Sequence, residues 1–90
     1  MHYKTSQKKI SIGDHVLVER NVPGVVVCDF DNWQSLKGYE NWLTKEKLVG
    51  GGTLKSGVMV ETKELGFLHY PEEDDNLVAD THWPRTASPV

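Results

Sequence analysis

The pattern of apolar and polar positions along the chain marks four strand-like runs. Val16 and Val18 stand two apart within residues 15–20, the spacing that turns both side chains to one side of a pleated strand. Residues 24–30 form a near-continuous β-branched run, Gly-Val-Val-Val-Cys-Asp-Phe, which suits a strand covered on both faces. Between these runs Asn21-Val22-Pro23-Gly24 predicts the reversal: Pro presets φ for the first central position of a type II turn, and Gly accepts the positive φ that follows. Residues 57–62 alternate again, and residues 65–70 follow after Lys63-Glu64, a spacing that predicts a tight second hairpin. Leu77-Val78-Ala79 has the length of an edge strand or a helical turn.

The pattern changes over residues 31–56. Tyr39, Trp42, Leu43 and Glu46 follow helical spacing, Lys45 and Lys47 sit near the end, and Gly50-Gly51-Gly52 would stop a helix, so one short helix or ordered loop is expected there. The expected class is therefore mainly β: a small barrel or a strongly bent antiparallel sheet with one inserted short helix or ordered loop. Closure or bending would spare the chain exposed sheet edges. Residues 10–80 make one domain, preceded by a flexible basic tail over residues 1–9 and followed by a loose segment from 81 to 90 that contains Pro84 and Pro89.

Length and composition narrow this further. A chain of 90 residues supports one core and buries roughly 60–65% of its unfolded surface. Cys28 is the only cysteine, so the chain cannot close a disulfide on itself, and a reducing, cytoplasmic setting is expected. No apolar stretch approaches the roughly 18 residues of a membrane span, and the polar start has no apolar signal region after it. Charge is uneven around a net value of −3. Lys4, Lys8 and Lys9 make the start basic, whereas Glu61, Glu64, Glu72, Glu73, Asp74, Asp75 and Asp80 are set against Lys63 alone. Such a surface repels phosphate backbones and draws in basic partners.

Taken together, Gly13-Asp14-His15-Val16, Pro23-Gly24-Val25-Val26, Gly57-Val58-Met59-Val60 and Gly66-Phe67-Leu68-His69-Tyr70 resemble the strand and turn rhythm of SH3-like small barrels over residues 10–80. The resemblance implies a barrel that hosts many functions, among them the RNA- and ribosome-associated KOW type. The long 31–56 segment departs from the short loops of that type, and the basic loop its members present is absent. In size, acidity and lack of catalytic motifs the chain is also similar to small acidic bacterial immunity proteins that neutralise secreted toxins.

Chemistry-bearing residues are sparse. His15 and His69 fall within strands without a second ligand at local spacing, so structural roles are expected of both. Cys28 lies between Val27 and Asp29, a setting for an inert core thiol. Gly50-Gly51-Gly52-Thr53-Leu54-Lys55-Ser56 lacks the residue order of a phosphate loop, and Glu72-Glu73-Asp74-Asp75 lacks the alternation and glycine of a calcium loop. No catalytic residue, metal site or cofactor is expected. The residues expected to meet a partner are Trp33 and Tyr39, as aromatic anchors in an irregular segment, and the carboxylates Glu61, Glu64, Glu72, Glu73, Asp74 and Asp75. The expected function is stoichiometric binding of a basic protein, with a toxin domain as the most concrete partner. The alternative is an RNA- or ribosome-associated KOW-like barrel contacting phosphates through Lys4, Lys8, Lys9 and Arg20.

Overall fold

The computed structural model describes residues 1–43 and 56–81. It is a mainly β domain: β1 (His15–Val18), β2 (Val22–Asp29), β3 (Gln34–Ser35), β4 (Val58–Thr62), β5 (Gly66–Tyr70) and β6 (Leu77–Ala79) form one antiparallel sheet, and among the described residues a 3-10 turn (Glu40–Trp42) follows β3. Strand order is β5-β4-β2-β1-β6, with β3 also paired to β2. The sheet stays open, so of the two expected forms the antiparallel sheet is the one the chain takes. The 3-10 turn supplies the short helix expected at Trp42; the remainder of that expectation, at Lys45 to Gly52, lies outside the described residues.

β2 is the axle of the sheet. Along one side it meets β1 through Val22 to Val25 and β3 through Cys28 and Asp29; along the other it meets β4 from Gly24 to Asp29. A bulge between Val26 and Cys28 shifts the β4 register, which sends both Val27 and Cys28 into the same apolar cluster.

The first reversal is not the predicted Pro-Gly turn. Val18 pairs directly with Val22, so the chain turns over residues 19–21, where Glu19, Arg20 and Asn21 all have positive φ (44°, 68° and 71°). Pro23 and Gly24 lie inside β2 instead. Pro23 faces Leu17 one residue short of the first β4 pairing, where its missing N–H costs no ladder bond toward β4. Gly24 is needed for closeness rather than for turning: a Cβ there would come within 2.6 Å of Val60 Cγ1 and 3.0 Å of the Glu61 carbonyl oxygen. Loop 19–21 is tied down by the Glu19 N–H to the Asn76 carbonyl (3.0 Å) and by the Tyr70 hydroxyl, which donates to Glu19 Oε1 (2.9 Å).

The N-terminal segment is also not a tail. His2 bridges Lys9, the Tyr3 N–H donates to the Lys8 carbonyl (2.8 Å), and the Gln7 N–H returns to the Tyr3 carbonyl (2.8 Å). This small hairpin inserts Tyr3, 2% exposed, and Ile10, 1% exposed, into the main core. Burial of the ring outweighs the polarity of its neighbours, and the Tyr3 hydroxyl is satisfied by donating to Asp14 Oδ2 (2.7 Å).

Two apolar clusters lie on the sheet. The first joins Tyr3 and Ile10 to Val16, Val18, Val26, Val58, Val60, Tyr70 and Leu77. The second joins Val27, Cys28, Phe30 and Met59, with Val25, Leu36, Tyr39, Trp42 and Leu43 packed against them. Cross-strand partners share a face, so Val25, Glu61 and Phe67 form one row and Cys28, Met59 and His69 another, both on the side of the second cluster. No helix among the described residues is long and apolar enough to cross a membrane.

Candidate functional site

The second face carries Glu61 together with the rings of Tyr39, Trp42 and Phe67. In the central row of β4, Glu61 pairs across the hairpin with Phe67 and on the other side with Val25, so a carboxylate sits in the middle of an otherwise apolar strip. The segment around the 3-10 turn brings two aromatic rings over it. Trp42 packs on Phe67 with ring centroids 5.0 Å apart, and Tyr39 meets Phe67 edge-on at 6.2 Å. Tyr39 donates its hydroxyl hydrogen to Glu61 Oε1 at 2.5 Å. That hydrogen bond, followed by desolvation, raises the phenol above its ordinary range, so Tyr39 stays protonated as the donor and fixes the carboxylate. Phe67 is 41% exposed and Leu65, in the adjoining hairpin loop, 49% exposed. Part of the apolar strip therefore faces solvent.

Beside this cluster runs a groove of about 610 Å³. Its lining comes from His15, Pro23, Gly24 and Val25, from Glu61 and the hairpin residues Thr62, Lys63 and Glu64, and from the buried Asp80. Glu61, Glu64 and Asp80 supply three carboxylates to the lining and Lys63 one amine. Among the described residues no group of three or more His, Cys, Asp or Glu side chains is arranged to hold a metal ion.

Of the residues expected to face a partner, Tyr39, Glu61 and Glu64 gather at this site. Glu72, Glu73, Asp74 and Asp75 do not join them. They follow Tyr70, at the opposite end of a five-residue hairpin from the Lys63-Glu64 tip, a separation of roughly 15 Å along the strands. Two of them are turned toward the N-terminal hairpin: Glu73 Oε2 accepts the His2 backbone N–H (2.9 Å), and Asp75 lies 3.9 Å from the Lys4 amine. Asp74 holds its own turn by accepting the Asn76 N–H (2.8 Å). Trp33, 40% exposed and at φ 56°, lies before β3, at the far end of β2 from Glu61. The single acidic face read from the sequence is thus divided in two.

The other chemistry-bearing residues have structural settings. His69 Nε2 lies 2.8 Å from the Ser56 carbonyl oxygen, and its ring meets Phe30 edge-on at 5.4 Å. Cys28 is fully buried beneath Tyr39, and desolvation, with the Glu40 carboxylate second, pushes its thiol up to about 11. It is a protonated, unreactive thiol at neutral pH. Asp29, 4% exposed, spends its carboxylate on the N–H groups of Asp31 and Asn32 and on the Asn32 amide.

Sequence reasoning missed Phe67 as a site residue. Its signal lies in the hairpin register: once Thr62 is set opposite Gly66, the one charged residue inside β4, Glu61, falls opposite Phe67. Compared with known proteins, the chain matches no family model, no curated protein and no solved structure.

Proposed function

We propose that this domain is a protein-binding module without catalysis of its own, and that it receives a basic partner on the face formed by Glu61, Phe67, Tyr39 and Trp42 and on the adjoining groove. One observation carries the reading: a carboxylate fixed by a phenol stands within a half-exposed aromatic cluster, next to a groove with two further carboxylates. Aromatic rings give contact area at little entropic cost, and a positioned carboxylate selects Lys or Arg among the side chains that reach it. Arg or Lys above Phe67 or Trp42 would also gain from the ring faces.

Within this class, the most concrete form is an immunity protein covering the basic surface of a toxin domain in the cytoplasm. In that role Glu64 and the separate carboxylates of residues 72–75 would speed encounter, while Tyr39 and Phe67 would lengthen residence. The KOW-like alternative draws less support, because Lys4, one of its phosphate contacts, sits beside Asp75.

The test is a titration followed by NMR with an oligo-arginine peptide and, separately, a single-stranded RNA. The peptide is expected to shift the resonances of Glu61, Glu64 and Phe67 in a salt-dependent way, and to lose most of its affinity in the Glu61→Gln, Phe67→Ala double variant. Shifts confined to Lys4, Lys8 and Lys9 on adding RNA, with none from the peptide, would transfer the assignment to the RNA-associated reading.

A further inference from the structure

We infer that the outer edge of β5 accepts an extended basic segment of the partner as an added strand, an inference that rests on the binding reading and specifies how the partner docks. Alternation along the strands fixes which backbone groups point outward. The Val26 N–H donates to the Asp14 carbonyl (3.0 Å) and the Val26 carbonyl accepts from Gly13 (2.7 Å), so Val26 spends its backbone groups on the β1 side of β2. Alternation then turns Val25 toward β4, where it pairs with Glu61. Glu61 therefore points its backbone toward β2, leaving Val60 and Thr62 to bond Leu68 and Gly66 across the hairpin. The Phe30 N–H on the Gly57 carbonyl (2.8 Å) gives the same parity from the other end of β4. By this alternation Phe67 and His69 direct their N–H and C=O groups away from β4, toward an edge on which no other described strand lies.

The two edges of the sheet differ in how they are guarded. β6 has three residues, follows Asp74 and Asp75, and is ended by Asp80. β5 has five residues, Gly-Phe-Leu-His-Tyr, with no acidic residue, lysine, arginine or proline in the strand and no bulge in its pairing. Among the described residues, β5 itself carries none of the charges, prolines or bulges that blunt an edge, while Phe67 offers an exposed ring beside the outward backbone groups.

Charge decides between occupants. A second copy pairing antiparallel about Leu68 would set Glu64 against the other copy's Glu72 at both ends of the strand, and each copy carries a net charge of −3. A basic segment meets the opposite situation, since Glu64 and Glu72 flank the two ends of β5 and would pair with its charges.

The test uses the full chain, labelled with nitrogen-15, and a short peptide alternating arginine and valine, with a peptide alternating glutamate and valine as its counterpart. Amide hydrogen exchange is read residue by residue. The basic peptide is expected to slow exchange at the Phe67 and His69 amides by about tenfold or more, with the acidic peptide leaving them unchanged. If the basic peptide shifts Glu61, Val25 and Thr62 but leaves both edge amides exchanging freely, the edge assignment falls while the binding reading stands. If it shifts nothing, both fall. Slowing that grows with protein concentration alone would give the edge to a second copy and overturn the proposal.

Discussion

The two faces of this sheet are built from the same strands and are finished in opposite ways. On one, Val16, Val18, Val26, Val60 and Leu77 are sealed by Tyr3 and Ile10, and each is 2% exposed or less. On the other, the row Val25-Glu61-Phe67 mixes a charge with an exposed ring, and the cover over it comes from a 3-10 turn and loop rather than from a second sheet. The first arrangement gains stability by removing water from apolar surface. The second gives up part of that gain and leaves a carboxylate and a ring accessible. Under the proposed binding reading, recognition falls to the row around Glu61 and Phe67 and stability to the sealed face, and substitutions should separate them.

The largest separation is expected from equal truncations on the two faces. Leu77→Ala removes a side chain that is 1% exposed and should cost about 2–5 kcal/mol in urea denaturation. Phe67→Ala removes a larger side chain and should cost only about 1 kcal/mol or less, because 41% of it is already exposed. Equal losses would mean that the second face is as much a core as the first.

A smaller effect sharpens the role of the N-terminal hairpin. Burial, then the hydrogen bond to Asp14, raises the Tyr3 phenol above its ordinary value of about 10. The folded chain therefore favours the neutral phenol, and the contribution is fully present below that ordinary value and is lost as pH rises beyond it. Tyr3→Phe should lower stability at pH 7 by about 1–2 kcal/mol and should flatten the decline above pH 10. A decline of unchanged steepness in the variant would point to Tyr70, whose phenol is raised in the same direction by desolvation and by Glu19.

The smallest effect concerns the acidic run. Asp75→Asn breaks an exposed pair with Lys4, and its stability change should stay within about 0.5 kcal/mol. A larger loss, measured by the same denaturation, would show that the 72–75 run fastens the N-terminal hairpin rather than lying on the surface.

How much of this could be read from the chain depends on what kind of contact decided each feature. Strands β1, β4 and β5 are legible because alternation of apolar residues is a local signal, and Glu61 between Val60 and Thr62 already marks a less buried row. Pro23-Gly24 misleads because its local turn preference is real, yet the close passage of β4 needs a residue without a side chain at Gly24, and that need comes from 36 or more positions away, at Val60 and Glu61. The N-terminal hairpin is illegible for a related reason: Tyr3 and Ile10 are isolated among polar residues, and only the assembled sheet offers them a place. Among the site residues, Tyr39 is visible as an aromatic in an irregular segment. Its bond to Glu61 is a product of topology, since nothing local relates a loop tyrosine to a glutamate in the fourth strand.

The pairing of β6 with β1 has a kinetic consequence. Val18 and Leu77, joined in register, are about 60 positions apart, so the loop-closure entropy of nearly the whole domain must be met before this ladder returns any energy. Hairpins such as β4–β5 can zip on their own within microseconds, but the final strand must wait for a distant template. Refolding should accordingly be slow for so small a chain, in the millisecond-to-second range of sheets rich in remote contacts.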